Sequence, residues 1–484
     1  MKDYLFKNIC SISDRILNSK ESNSTTIAIR SLHLIKNHPD YLNQHKKIDI
    51  LKIFLLLVKR LFFSTINTFL LKSNLENIKF IKKKIIFISH LLEKENVNKK
   101  NDFYYGNFQS ILNKRKISNY KIFCNHTNNI TYYNNLKYSK NTIVLSKFLN
   151  LKGEIKLLAN QLIEFFRLIR IKFKTKDALK KRIIKDALVS LFQEETLFAL
   201  RINYQLKILF DKIKPKLLIC TYEGYPWERL CFNKAKNLSK DLACVGYQHA
   251  PVIKSNYSLK RNLKGNYNPD IIWCSNNNSY NELLHSSKIK NTYLNKLGNF
   301  KSYQEKTPVL KKNKINKICL VIPEGTNSEC IRLFKFSLLC AKKNKSFKFI
   351  WRVHPIIKKE KMLKLLDLTF HRLPSNIKIS NNKLISKDFE KTSFTLYRGS
   401  GAIIKSTLFG NIPLYLNDKR EANIDPLYKF NKKNYIFNVK DFNTLCNFYL
   451  KKNKLDLKLI RNINNNYYKK FEINKLLKFI NKFK

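Results

Sequence analysis

One stretch, residues 396–417 (LYRGSGAIIKSTLFGNIPLYLN), limits the folds open to this chain more than any other. Phe394 to Tyr397 is a short β-prone run, and Gly399 and Gly401 break it around Ser400. Residues 402–409 suit a helix with Ile403, Ile404 and Leu408 on one side. Gly410 suits its end, and Ile412 to Leu416 reads as the next strand. Strand, glycine-serine turn, helix, strand is a parallel βαβ unit, with the turn at the carboxyl end of its first strand. Open α/β sheets bind ligands there, because backbone N–H groups at a helix start face an anion with no Cβ in the way. A Gly-Ser-Gly run is also an ordinary tight turn, so the stretch alone leaves both readings open.

The same rhythm runs through most of the chain. Residues 84–88, 120–124, 142–146, 216–220, 243–247 and 270–274 read as strands. A long helical region fills roughly 155–212, and a helix spans 226–239 with Pro226 in its first turn. After a polar segment, 299–316, a second series begins. It has strands at 317–322, 347–353 and 377–380, and helices at 327–343 and 358–368. Strands alternating with helices imply mostly parallel sheets. The expected organisation is α/β: a peripheral helical segment at 1–77, one Rossmann-like domain at 78–300 and a second at 317–440. A lysine-rich helical tail at 441–484 is expected to pack back across the first domain.

Charge enters here because it invites a nucleic-acid reading. Lys plus Arg number 94 against 34 Asp plus Glu, a net charge of +60. Asn, Ile, Phe and Tyr are inflated together with Lys while Arg is scarce, as AT-rich codons would produce in any protein. The lysines are also spread along the chain, so no nucleic-acid partner is expected. The charge suits an anionic membrane surface or phosphate-bearing substrates. The 10 cysteines form no C-x-x-C pair, so no zinc site is expected. Cys220, Cys244, Cys274 and Cys319 fall in apolar strand-like runs, where a thiol is a small buried hydrophobe suited to a reducing compartment. The start, MKDYLFKNIC, does not read as a signal peptide, and a cytoplasmic location is expected. The most apolar segment, 50–71, is interrupted by Lys52, Lys59 and Arg60, short of the roughly 18–20 uncharged residues of a membrane span. Two readings remain for it: a core helix, or a helix lying in the interface of the inner membrane.

The candidate chemistry falls where strands end. After the strand at 216–220 comes TYEGYPWE, in which Glu223 precedes a glycine at a strand's carboxyl end and faces a cleft as a general base could. Glu228, one turn into the helix, reads as a stabiliser of the helix start. The next strand closes on GYQHAP, placing His249 at the same sheet end, where it could orient Glu223 or donate to a phosphate. In the second domain VIPEGTNSE offers Glu324, Gly325 and a helix start capped by Thr326, Asn327 or Ser328. WRVHP ends the following strand with Arg352 and His354, the proline halting the ladder. Ser400 and Gly401 supply a third strand end beside these. Each signal is weak alone, and their convergence on one edge carries the argument.

Several motifs together resemble bacterial surface-carbohydrate (capsule or lipopolysaccharide) biosynthesis proteins of GT-B type, over about residues 80–430. They are Ser89-His90 with Asp102, Tyr104 and Gly106, then YEGYPWE, GYQHA, PEG, RVHP and GSGA…FGNIPLY. These proteins are similar in turn to the sialyltransferase and Kdo-transferase group that uses CMP-sugars. The resemblance implies a GT-B fold of two Rossmann-like domains facing a cleft. It implies an acidic general base before glycine, here Glu223, and a His-Pro pair and a serine on the donor phosphate, here His354 and Ser400. One departure stands out: where many GT-B enzymes carry a ribose-binding Glu after the glycine turn, this chain reads Ile403-Ile404-Lys405-Ser406. That disfavours a retaining UDP- or GDP-sugar layout and favours the CMP type.

The expectation is an inverting, metal-independent glycosyltransferase of cell-surface polysaccharide assembly. Its partners would be a nucleotide-sugar donor and a glycan or lipid-linked acceptor, with no further cofactor. Two alternatives are a polyol-phosphate transferase using a CDP-glycerol-type donor, and a non-catalytic basic protein that binds a membrane surface or nucleic acid.

Overall fold

The computed structural model describes residues 2–34, 50–69, 84–97, 99, 101–127, 137–139, 141–300, 314–355, 357–367, 373–419, 421 and 423–483. Three helices come first: α1 (Lys2–Leu17), α2 (Ser24–Ala28) and α3 (Ile50–Phe69). The first domain continues with β1 (Ile85–Leu91), α4 (Phe108–Lys114), β2 (Asn119–Asn125), β3 (Lys137–Ser139) and β4 (Thr142–Val144). Three long helices follow, α5 (Leu151–Lys174), α6 (Ala178–Leu191) and α7 (Glu194–Ile213). The domain closes with β5 (Leu217–Thr221), α8 (Pro226–Leu238), β6 (Ala243–Gln248), α9 (Tyr257–Lys260), β7 (Ile271–Cys274), α10 (Asn277–Ser286) and β8 (Tyr293–Lys296).

Its strands form one sheet in the order β3-β4-β2-β1-β5-β6-β7-β8. All neighbours are parallel except the edge pair β3–β4. β2 and β5 are buried along their whole length, and β1 at all but one residue, as parallel strands covered on both faces must be. The helical region expected at 155–212 divides into three. Asp177 caps α6 by accepting the N–H groups of Leu179 and Lys180, which ends the run from α5.

The second domain comprises β9 (Ile318–Ile322), α11 (Asn327–Lys343), β10 (Lys348–Trp351), α12 (Lys359–Leu365), β11 (Ile377–Ile379) and α13 (Ser386–Lys391). It continues with β12 (Phe394–Tyr397), α14 (Ala402–Leu408), β13 (Ile412–Leu416), β14 (Tyr435–Ile436) and α15 (Val439–Lys452). The sheet is parallel throughout, in the order β11-β10-β9-β12-β13-β14. The βαβ unit expected at 394–416 is present, and Gly410 takes φ +82° just beyond α14. Two Rossmann-like parallel sheets facing one another are the GT-B layout expected from the sequence. The boundary expected at residue 78 and the linker residues 301–313 lie outside the described residues.

Two expectations about the ends of the chain need correction. The N-terminal segment is not peripheral: Ile9, Ile12 and Ile16, spaced to share a helix face, are buried with Ile27 and Leu32 in the first domain's core. Nor does the second domain end at 440. Phe442, Cys446 and Tyr449 of α15 sit in the core of the second domain. Beyond it, α16 (Leu457–Tyr467) packs on α14, and α17 (Ile473–Ile480) returns to the first domain, where Phe471, Leu476 and Ile480 join Trp273 and Phe300. That return is the one expected. All 10 cysteines are buried and unpaired, as apolar small residues.

Candidate active site

β5 delivers the chain to Glu223 and then to a turn that only glycine fits. Gly224 has φ +83°, and a Cβ there would lie 2.4 Å from the carbonyl carbon of Ser258. The turn leads directly into α8 at Pro226. Glu228, in its first turn, reaches back to accept the N–H groups of Glu223, Gly224 and Tyr225 at 2.8–2.9 Å. It is buried, and burial pushes its carboxyl up to about 8 against the pull of those three donors. Glu228 is therefore the brace of this loop, the role its position in the helix suggested.

β6 brings His249 alongside. Its Nε2 lies 3.1 Å from Oε1 of Glu223, so the two residues singled out in the first domain do meet. The imidazole stands edge-on to the ring of Tyr104, 4.8 Å between centroids, and its Nδ1 is buried without a hydrogen-bond partner. Tyr104 is held by the Ser89–Asp102 motif. Asp102 accepts the Ser89 hydroxyl at 2.8 Å and the N–H groups of Tyr104 and Tyr105 at 2.8 and 3.0 Å. Burial raises the Tyr104 phenol, and the charge of Glu223 raises it further, so it is a neutral hydrogen-bonding group.

Behind this pair runs a polar chain that spacing in the sequence does not reveal. His126 Nε2 lies 2.7 Å from His90 Nδ1, His90 Nε2 lies 3.2 Å from the Thr221 hydroxyl, and Thr221 donates to Glu228 at 3.4 Å. Burial holds His90 well below its ordinary range and His126 at about 4, so both imidazoles are neutral. These groups line a cavity of about 720 Å³ whose wall also includes Glu223 and His249. Its basic side chains come from distant places, Arg30 near α2, Lys59 on α3, Lys147 before α5 and Arg201 on α7, and they share the wall with Glu194, Glu195, Glu223 and Glu228. Lys147 has its ammonium pKa lowered, first by burial and then, against the pull of Glu194, by Lys59 and Arg201. Among the described residues no three His, Cys, Asp or Glu side chains gather as metal ligands would.

The second domain presents three neighbouring strand ends, those of β10, β9 and β12. Gly325 faces the imidazole of His354; a Cβ there would lie 3.0 Å from Nδ1 and Cε1. Glu324 is buried and its carboxyl lies over Gly399, beside Ser400. Gly401 touches the first domain, a Cβ there falling 3.1 Å from Cγ of Pro251, two residues past His249. Glu324, Gly325, His354, Ser400 and Gly401 thus come together, and their turn meets the loop that carries His249. Burial raises the Tyr225 phenol, and the charges of Glu223 and, least, of Glu324 add to it, so carboxylates of both domains reach this ring.

Two expected donor contacts sit elsewhere. Arg352 turns away to Asp388 at 3.0 Å and to Ser380 at 3.2 Å, tying β10 to α13. Ser328 is exposed in the first turn of α11, and Thr326 takes the N-cap position. The Thr326 side chain makes no capping bond, and its Oγ1 is buried without a partner. The N-terminus of this 17-residue helix therefore keeps its N–H groups open, whereas α14 at the glycine turn has only 7 residues.

No protein-family model matches the chain, and no curated protein matches it. Among solved structures it is similar to the UDP-GlcNAc 2-epimerase from Neisseria meningitidis bound to UDP-GlcNAc, at 13% identity, 82% of this chain, 100% of that chain and TM-score 0.43. It is also similar to a glycosyltransferase of kitacinnamycin, at 9% identity, 83% of this chain, 99% of that chain and TM-score 0.45. TarM is a third, at 15% identity, 59% of this chain, 58% of that chain and TM-score 0.39. The assignment of the fold rests on the two sheets themselves.

Proposed function

We propose that the protein is an inverting glycosyltransferase of cell-surface polysaccharide assembly. The second domain holds a nucleotide-sugar and the first-domain cavity holds a glycan acceptor. One observation carries this reading. The Glu223–His249 pair stands on the wall of the cavity, and the second domain's glycine turn abuts the loop that carries His249. A carboxylate oriented by an imidazole, with room beside it for a sugar, is what deprotonation of an acceptor hydroxyl requires.

In the proposed step Glu223 takes the proton of the acceptor hydroxyl as its oxygen attacks the anomeric carbon of the donor. The bond from that carbon to the phosphate oxygen breaks, and the configuration inverts. His354, Ser400 and the open N–H groups at the start of α11 meet the charge growing on the leaving phosphate. Glu324 occupies the surface of the turn at Gly399, so the phosphate is received at Gly401 and α11, away from that carboxylate. The step asks for no metal ion. A CMP-sugar is the donor favoured by the missing carboxylate in α14. The reading places the site of action on the cytoplasmic side of the inner membrane, on a lipid-linked acceptor.

Thermal unfolding in the presence of CMP, CDP, UMP, UDP, GMP and GDP tests the donor half, because a ligand that binds only the folded state raises its apparent stability. Stabilisation by one nucleotide, abolished in His354→Ala, is expected; stabilisation by none defeats the reading. Glu223→Gln is expected to keep the nucleotide effect and lose turnover by about 100-fold or more. Unchanged turnover removes Glu223 as the base.

A further inference from the structure

α3 and α5 are built the wrong way round for helices on a water-facing surface. On α3 the inward side carries Arg60, Ser64 and Asn67, all buried. The outward side carries Leu51, Phe54, Leu55, Val58, Phe62 and Phe69, each between 48% and 68% exposed. On α5 Glu154, Gln161 and Glu164 are buried beside Leu157 and Leu168, while Ile155, Ile163, Phe166 and Phe173 are 53–82% exposed. The two helices lie together and antiparallel: Arg60 reaches Glu154 and Gln161, whereas Asn67 and Thr68 bond to the backbone of Phe148 and Leu151. Polar groups are thus satisfied between the helices, and an apolar face is left outside. A face of this kind calls for an apolar medium on its other side.

The charge on the same two helices identifies that medium. α3 has no acidic residue, and the two on α5, Glu154 and Glu164, are buried in ion pairs with Arg60, Arg201 and Arg167. What remains at the surface is basic: Lys59 on α3, and Lys156, Arg170 and Lys174 on α5. Apolar side chains rimmed by cations alone suit the headgroup and acyl boundary of an anionic bilayer. A second copy of the same face would bring like charges together. Among the described residues no helix is long and apolar enough to cross a membrane, so the fit is to lying on the surface.

We propose that the outward face of α3 and α5 docks the protein on an anionic lipid bilayer. Lys59 belongs both to this face and to the wall of the first-domain cavity. Docking therefore sets the mouth of that cavity at headgroup level, where a lipid-linked acceptor would present its first sugars. This last step rests on the transferase reading; the docking does not.

The test is flotation of the full chain with phosphatidylglycerol-rich vesicles and with pure phosphatidylcholine vesicles. Wild-type protein and the double variant Phe62→Asp with Phe166→Asp are compared, with sedimentation velocity on both. The wild type is expected to float with the anionic vesicles only. The double variant, altered at two exposed positions, is expected to keep its unfolding temperature and lose at least about tenfold in partitioning. Failure of the wild type to float overturns the proposal. So does equal flotation of the variant, which would leave only diffuse charge attraction, and so does a wild-type dimer that the variant dissolves without any vesicle binding. Nucleotide stabilisation in the same samples separates the readings: flotation without a nucleotide effect sinks the transferase and spares the docking.

Discussion

The carboxyl group of Glu324 lies where a side chain at residue 399 would have to go: a Cβ on Gly399 would be 2.3 Å from its carboxyl carbon. The end of a flexible side chain can move, so Gly399→Ala is expected to fold, at a cost of about 1–3 kcal/mol. The displaced carboxylate then enters the space proposed for the donor phosphate. Nucleotide affinity, measured by titration calorimetry on the folded protein, is expected to fall by about tenfold, beside a drop of a few degrees in the unfolding temperature.

Gly224 makes the opposite case. Its φ of +83° and the 2.4 Å approach to the Ser258 carbonyl carbon put backbone, not side chain, in the way. Gly224→Ala is expected to cost about 3 kcal/mol or more and to lower the denaturation midpoint. A variant as stable as wild type would mean that the Glu223 loop adopts another path.

Glu228 sets a pH dependence. Its folded value of about 8 exceeds its ordinary carboxyl value of 4.5, so the folded protein holds a proton that the unfolded chain releases. That contribution to stability is full below about pH 4.5 and is lost as pH rises to about 8, by at most about 1.4 kcal/mol per unit. Glu228→Gln keeps an oxygen for the three N–H groups and cannot ionise. The stability of wild type relative to Glu228→Gln is expected to fall between pH 5 and 8 and to level off above it, as read from urea unfolding at each pH. A constant difference would show that the carboxyl stays ionised.

Arg352 separates a structural from a ligand-binding role. Its partner Asp388 is buried at 1% exposure, so Arg352→Ala is expected to cost roughly 3 kcal/mol through the unpaired carboxylate. Nucleotide affinity of the folded fraction is expected to stay as in wild type. A selective loss of affinity would return Arg352 to the donor site.

What the sequence revealed of the site follows from where its residues sit on strands. Glu223, His249, Glu324, His354 and Ser400 each lie one to three residues past the end of a strand, so parallel topology brings the first two to the carboxyl edge of one sheet and the last three to that of the other. Adjacency in the sequence groups Arg352 with His354. β10 ends at Trp351, so no strand geometry fixes which way Arg352 turns, and an ion pair 36 residues away decides it. β8, Tyr-Leu-Asn-Lys at a sheet edge, and the 2-residue β14 carry too little apolar pattern to be read. The cavity's cations are invisible for another reason: Arg30, Lys59, Lys147 and Arg201 share no element and no spacing, and only tertiary packing assembles them.

The return of the C-terminal tail bears on how the two domains are joined. The chain leaves the first domain after Phe300 and comes back between Tyr467, buried in the second, and Phe471, buried in the first. The two passages run side by side: Asn299 pairs with Lys470, and Gly298 lies so near that a Cβ there would meet the Lys470 carbonyl oxygen at 2.4 Å. The core of the first domain is thus completed by residues that follow the whole of the second in the chain, so no single cut separates the two domains.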